Sequence, residues 1–210
     1  MLYEARIRRI DMVLCKKQPD LQLFCDDVHS SQNLSAITRS CDGAGVLYLY
    51  YATKDKKAVR VHKSITQGAH RWVERERIDT EKKFSFLKQK KDEGYQIFVT
   101  HLDENAVSFR EVDYTRPTLI IVGNEKEGVS PQVAAMADRS IVIPMQGMVQ
   151  SLNVSVATAL VLYEAQRQRE EAGLYDTPQL LLEQRERLKA SWLYRDTIVR
   201  RSKGTIVQPG

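Results

Sequence analysis

Three observations predict an α/β fold with a mainly parallel sheet flanked by helices. Short runs rich in Val, Ile, Leu, Phe and Tyr alternate with stretches of helical period along most of the 210 residues, the pattern of strand–helix–strand units. From Ser140 to Glu164 a β-branched strand, stopped by Pro144, is followed by a polar loop and then by a helix apolar on nearly every face, which predicts burial on all sides. The polar residues Gln150, Ser151 and Asn153 lie where a strand's carboxyl end meets a helix's amino end, the place where open α/β sheets bind ligands.

The elements follow in order. Leu2, Ile7, Ile10, Val13 and Leu14 give an amphipathic helix that ends near Gln18-Pro19, because the residue before proline disfavours helix. Leu21–Cys25 reads as the first strand. Leu34, Ile37 and Cys41 recur at helical spacing and close at Asp42-Gly43-Ala44-Gly45. Val46–Tyr51 is a second strand. Between Lys54 and Ile78 the pattern is poor: Val59, Val61 and Ile65 suggest an edge strand, and Trp72-Val73 the start of another. Thr80–Lys91 reads as a helix with Phe84 and Leu87 inward, ended by Gly94. Tyr95–Thr100 and Leu119–Val122 are strands, and Ser130-Pro131 starts a short helix ending near Asp138. Beyond Glu171 helix continues in pieces through Leu193 and gives way to a basic tail.

Charge is concentrated. Lys54–Lys91 holds thirteen Lys/Arg against five Asp/Glu, and Arg185–Lys203 seven against two, within a net charge of +5. Two basic tracts favour a polyanionic partner, most simply nucleic acid, over a merely solvated surface. Cys15, Cys25 and Cys41 are odd in number and lack C-x-x-C spacing, so reduced thiols and a cytoplasmic setting are expected. No apolar run reaches the ~20 residues of a membrane helix, so no membrane partner is expected.

Three polar clusters each follow a strand: Asn33 to Arg39, Gly123-Asn124-Glu125 with Gly128, and Gly147 to Asn153. Each alone has an ordinary structural explanation as a cap, a turn or a solvated surface. Three at the carboxyl ends of one sheet point to one crevice. Gly43-Ala-Gly45 is no dinucleotide fingerprint, since a strand follows it. There is no Walker P-loop, and the four histidines lack metal-ligand spacing, so no metal is expected. The flanks of Ser151 lack the glycines of a nucleophile elbow. The residues themselves thus reach an α/β domain with a polar crevice serving a polyanion.

At these clusters the chain resembles the SpoU/TrmH family of SPOUT RNA 2′-O-ribose methyltransferases. Asn33-x-x-Ala36-x-x-Arg39-x-x-Asp42-x-x-Gly45, Gly123-x-Glu125-x-x-Gly128 and Pro144-Met145-x-Gly147-x-x-x-Ser151-Leu152-Asn153-Val154 look like its three motifs in order. Gly43 departs from the pattern, standing where alanine is usual. The resemblance implies a carboxyl-terminal deep trefoil knot over about residues 118–165, a homodimer with an active site shared between subunits, and S-adenosyl-L-methionine as methyl donor. It implies cofactor contacts from Thr100, His101, Gly123, Asn124, Ile143, Met148, Ser151 and Leu152. Catalysis would fall to Arg39 from the other subunit, with Ser151 holding an RNA phosphate and Asn33, Glu125 and Asn153 orienting the site. It further implies a methyltransferase domain over residues 19–172, between a helical extension at 1–18 and a basic extension at 173–210. Asp113-Tyr-Thr-Arg-Pro117 and Tyr163-Glu-Ala-Gln-Arg-Gln-Arg169 look like the D-loop tRNA enzymes, which makes guanosine 18 of tRNA the expected target. A 23S ribosomal RNA ribose methyltransferase is the alternative enzyme, and a non-catalytic RNA-binding protein of the same fold the alternative class.

Overall fold

The computed structural model describes residues 2–54, 59–124 and 126–202. A leading helix α1 (Leu2–Cys15) precedes β1 (Leu21–Cys25), α2 (Ser31–Gly43) and β2 (Tyr48–Tyr51). Then come α3 (Lys63–Thr66), β3 (Glu74–Arg77), α4 (Lys83–Asp92), β4 (Gln96–Thr100) and the two-residue β5 (Val107–Ser108). The chain continues through β6 (Thr118–Val122), α5 (Pro131–Ala134), β7 (Arg139–Val142), α6 (Val154–Glu171) and α7 (Leu182–Ser202).

The seven strands form one sheet in the order β3-β2-β1-β6-β4-β7-β5, and every strand pairing is parallel. The expected architecture therefore holds. β1 and β6 are buried at every residue, as central parallel strands covered by helices on both faces must be. On one face Leu21, Leu23 and Cys25 pack with Leu34, Ile37 and Cys41 of α2 and with Val161, Leu162 and Ala165 of α6. On the other, Phe24, Leu119 and Ile121 meet Leu87 of α4 and Val133 of α5.

The first and last helices meet. Trp192 of α7 is fully buried among Ile10, Leu14, Leu47 and Leu188, and Arg6 to Asp196 (2.9 Å) and Lys189 to Asp11 (2.7 Å) tie α1 to α7. Among the described residues no helix is long and apolar enough to cross a membrane, and no group of His, Cys, Asp and Glu could hold a metal ion.

Three local expectations are corrected. Val59, Val61 and Ile65 form no edge strand; α3 occupies the end of that stretch, and β3 begins directly after Val73. Phe84 points outward at 39% exposure, because the helix turns Lys83, Leu87 and Lys90 inward instead. Lys83 fixes that phase by pairing with the buried Asp26 at 2.9 Å. Finally, α6 is not buried all round. Val156, Leu160 and Tyr163 stand 48%, 41% and 51% exposed, an apolar stripe at helical spacing with no cover among the described residues.

Candidate active site at the carboxyl ends of the strands

A cavity of about 510 Å³ opens where β4, β6 and β7 end. Its floor is set by β6, whose chain turns sharply at Gly123. A side chain there would collide with the backbone of Gly128 and Val129, so the close approach needs glycine. Asn124 and Gly128 exchange backbone bonds (N to O 2.8 Å, and 3.0 Å in return), and Asn124 Oδ1 accepts the amides of Lys126 and Glu127. Gly128 sits at φ +69°, where an L side chain is strained.

The end of β1 holds this loop at both ends. Asp26, 1% exposed, accepts from Ser130 N (3.1 Å), Ser130 Oγ (2.8 Å) and Lys83 Nζ (2.9 Å). The chain then passes through Asp27 at φ 57°, a left-handed conformation that aspartate tolerates. The Asp27 carbonyl receives Asn124 Nδ2 at 2.9 Å. Ser130 does precede the short helix, as expected, but its hydroxyl serves Asp26 rather than capping.

The opposite wall comes from β7 and the start of α6. Ile141, Val142 and Ile143 line it, with Ser151, Leu152 and Asn153 beyond. Asn153 caps α6: its Oδ1 accepts from Ser155 N (2.8 Å) and Ser155 Oγ (2.6 Å), satisfying a donor that the helix start leaves unpaired. Its Nδ2 donates to Asn33 Oδ1 at 3.2 Å, joining the amino ends of α2 and α6. Beside the cavity the Asp103 carboxyl is held below the usual range by hydrogen bonds from Ser140 and the Asn105 amide, which fixes the turn after β4. Gly43 has a local cause, since a Cβ there would come within 2.8 Å of the Tyr163 hydroxyl where α2 packs on α6.

Thr100, His101, Gly123, Asn124, Ile143, Ser151, Leu152 and Asn153 thus line one cavity. Met148 does not: it is 99% exposed, and Met145 lines the wall in its place. Arg39 is exposed on α2 and outside the lining, and Asn33, also outside it, accepts a hydrogen bond from the lining residue Asn153. Glu125 lies outside the described residues. Sequence reasoning missed Phe109, Ala157 and Val161. Phe109 is held by its amide to Val142 O (2.9 Å) after a two-residue strand, too short to show any period. Val154, Ala157 and Val161 share a helical face, so spacing could have found them.

The walls offer apolar surface for a flat ring and, at the glycine turn, backbone for close approach. Thr100, His101, Asn124, Ser151 and Asn153 add polar groups to the lining. That donor set suits a nucleoside-bearing ligand rather than a metal.

Residues 20–163 match the model of the SpoU rRNA methylase family. The chain is 49% identical to the tRNA (guanosine(18)-2′-O)-methyltransferase of Aquifex aeolicus over 203 residues, 97% of this chain and 95% of that one. The enzyme of the same description from Escherichia coli is 46% identical over 81% of this chain and 73% of its own. A crystal structure described as the A. aeolicus TrmH/SpoU tRNA modifying enzyme superposes with a TM-score of 0.88, covering 93% of this chain and 98% of that one. An AdoMet-bound rRNA methyltransferase from Sinorhizobium meliloti is 27% identical with a TM-score of 0.64, covering 75% and 59%.

Proposed function

The chain belongs to the SpoU rRNA methylase family, and from that premise we propose that it transfers a methyl group from S-adenosylmethionine to the ribose 2′-hydroxyl of guanosine 18 in tRNA. One observation carries the choice of substrate. The likeness to the Aquifex tRNA enzyme runs through 97% of the chain, both end helices included, whereas the S. meliloti rRNA enzyme covers 75%. Because α1 and α7 pack on each other and on the sheet, a relative that shares both ends shares the surface they build.

The cavity residues fit the cofactor, which supplies an electrophilic methyl on a sulfonium. Ile143, Leu152 and the backbone at the Gly123 turn would hold it. The chain's remaining task is to position the ribose hydroxyl in line with that methyl and to accommodate the proton it sheds. Arginine stays protonated in proteins, so Arg39 stabilises the developing alkoxide, and the proton passes to an RNA phosphate held at Ser151. The α6 amino end contributes less to that phosphate than a bare helix end would, because the Asn153 side chain already occupies the Ser155 amide. Asn153 and Asn33 tie the two motifs together, and Glu125 completes the orientation.

Arg39 serves the cavity of a second copy. Its exposure outside the lining of its own cavity supports this, as does the uncovered stripe Val156–Leu160–Tyr163, which suits an isologous dimer interface. The family's knot, over about residues 118–165, is part of the same reading, as is a cytoplasmic location with reduced thiols.

The test is methyl transfer from labelled cofactor to unmodified tRNA, with the labelled nucleotide mapped. Label at guanosine 18 is the expected result, and label confined to ribosomal RNA would overturn the choice of substrate. Arg39→Ala should lose about 10²–10³-fold in turnover, the scale of one preorganised donor at a developing oxyanion, while its cofactor affinity stays within about twofold. Near-normal turnover would remove Arg39 from its role.

A further inference from the structure

A second cavity, of about 370 Å³, lies away from the active site between the start of β3, the Ala69–Arg71 turn and α7. His70, Arg71, Glu74, Arg75 and Arg195 line it. Its charges do not balance. Arg195 makes a two-pronged pair with Glu74 (2.9 and 2.8 Å), and Arg71 and Arg6 share Asp196 (2.8 and 2.9 Å). Among the lining residues three guanidiniums, of Arg71, Arg75 and Arg195, accompany the single carboxylate of Glu74.

Arg75 is the one left over. It is half-buried, its Nε is closed to solvent without a hydrogen bond, and it has no carboxylate partner among the described residues. Burial weighs most against its charge and Arg195 adds to that, while Tyr51 and the carboxylate of Glu74 oppose the shift without cancelling it. Burial and the charges of Arg75, Arg71 and Lys63 likewise hold His70 below its ordinary value. A desolvated guanidinium without a counterion is unfavourable. It becomes favourable once an oxyanion accepts its planar fork of N–H donors.

The placement suits a long ligand. Arg75 pairs in register with Leu49, two residues below the carboxyl edge marked by Arg77, Tyr51 and Cys25, a drop of roughly 7 Å. β3 lies three strand spacings from β6, about 14 Å across the sheet. We propose that this cavity binds a backbone phosphate of the tRNA, gripped by Arg75 with Arg195 and His70 beside it, as an anchor separate from the methyl-transfer site. The choice of tRNA rests on the function proposed above; the affinity for a phosphate does not.

The experiment compares wild type with Arg75→Ala, Arg75→Gln and Arg75→Lys. Filter binding of tRNA across a salt series, cofactor titration, and histidine NMR with inorganic phosphate are the three readouts. Arg75→Ala and Arg75→Gln should bind tRNA roughly 10-fold more weakly, with a salt slope smaller by about one, and keep wild-type cofactor affinity. Arg75→Lys should keep most of the slope. Phosphate should raise the His70 titration midpoint in wild type and not in Arg75→Ala or Arg75→Gln. Wild-type tRNA affinity and slope in both Arg75→Ala and Arg75→Gln would overturn the proposal. A His70 response to phosphate alongside unchanged tRNA binding would also overturn it, leaving a site for a small free phosphate. If wild type fails to methylate guanosine 18 while Arg75→Ala still weakens tRNA binding, the substrate reading falls and the anchor stands.

Discussion

Two neighbouring arginines of α6 should respond very differently to the same substitution. Arg169 is fully buried and makes four bonds: Nε to Tyr114 O (2.8 Å), Nη1 to Gln18 Oε1 (3.0 Å) and Asp20 Oδ1 (2.6 Å), and Nη2 to Arg116 O (2.9 Å). It braces the far half of α6 against the entry to β1 and the loop before β6. Arg169→Ala leaves the Tyr114 carbonyl and the Gln18 amide oxygen buried without a donor, at about 1–3 kcal/mol each. Breaking the pair with Asp20 adds less than the 3–5 kcal/mol typical of a buried pair, because Asp20 is 32% exposed and water can reach it. A total near 4 kcal/mol is expected, a large part of the ~5–15 kcal/mol that holds a domain together. With a urea slope of about 2–3 kcal/mol/M, the unfolding midpoint should fall by roughly 1.5–2 M. Arg167 is half-exposed and pairs with Glu164 and Glu171 on the helix surface, so Arg167→Ala should cost under ~0.5 kcal/mol. Urea unfolding followed by circular dichroism measures both. A loss below about 1 kcal/mol at Arg169, or equal losses at the two positions, would refute this account of the brace.

Gly123→Ala should abolish the turn beneath the cavity, since its Cβ has no room against Gly128 and Val129. Isothermal titration should show cofactor affinity falling on the order of 100-fold, about 2.7 kcal/mol, and unchanged affinity would mean that the loop can shift to admit a methyl. Burial lifts the Cys41 thiol to about 12, and Cys25 is equally enclosed. A thiol reagent at pH 8 should therefore label only Cys15 in the native protein and all three after denaturation. For an acid with a raised folded pKa, the stabilisation is complete below the unfolded value of 9.0 and is lost as pH rises toward 12. Native stability should accordingly decline across that alkaline window, and less steeply in Cys41→Ala; an identical alkaline profile in the two proteins would count against the assignment.

Much of the site was legible because its parts are local. Gly123 and Gly128 mark a turn from composition alone, and the cap at Asn153 falls among the polar residues Gln150, Ser151 and Asn153 expected at that helix's amino end. The errors arose where a partner distant in sequence decides the outcome. Phe84 was expected inward on periodicity, yet a buried ion pair between Lys83 and Asp26, 57 residues apart, rotated the helix. Arg169 stands in sequence in a run of mixed charge that ends in Glu170-Glu171, and only its carbonyl and amide partners from elsewhere make it a brace. Met148 sits inside a recognisable motif but projects into solvent, because the loop's path depends on packing rather than on its residue types.

The sequence alone determined the alternation of strand and helix, the parallel sheet that alternation requires, and the three polar clusters at strand ends. These follow from periodicity, turn chemistry and the short range of backbone preferences. Only the tertiary structure decided the sheet order, the meeting of α1 with α7, and the exposed stripe on α6. It also left the half-buried guanidinium of Arg75 without a paired carboxylate among the described residues. Strand neighbours and buried charges are settled by contacts between residues far apart in the chain. Local patterns do not encode which of several compatible faces will meet.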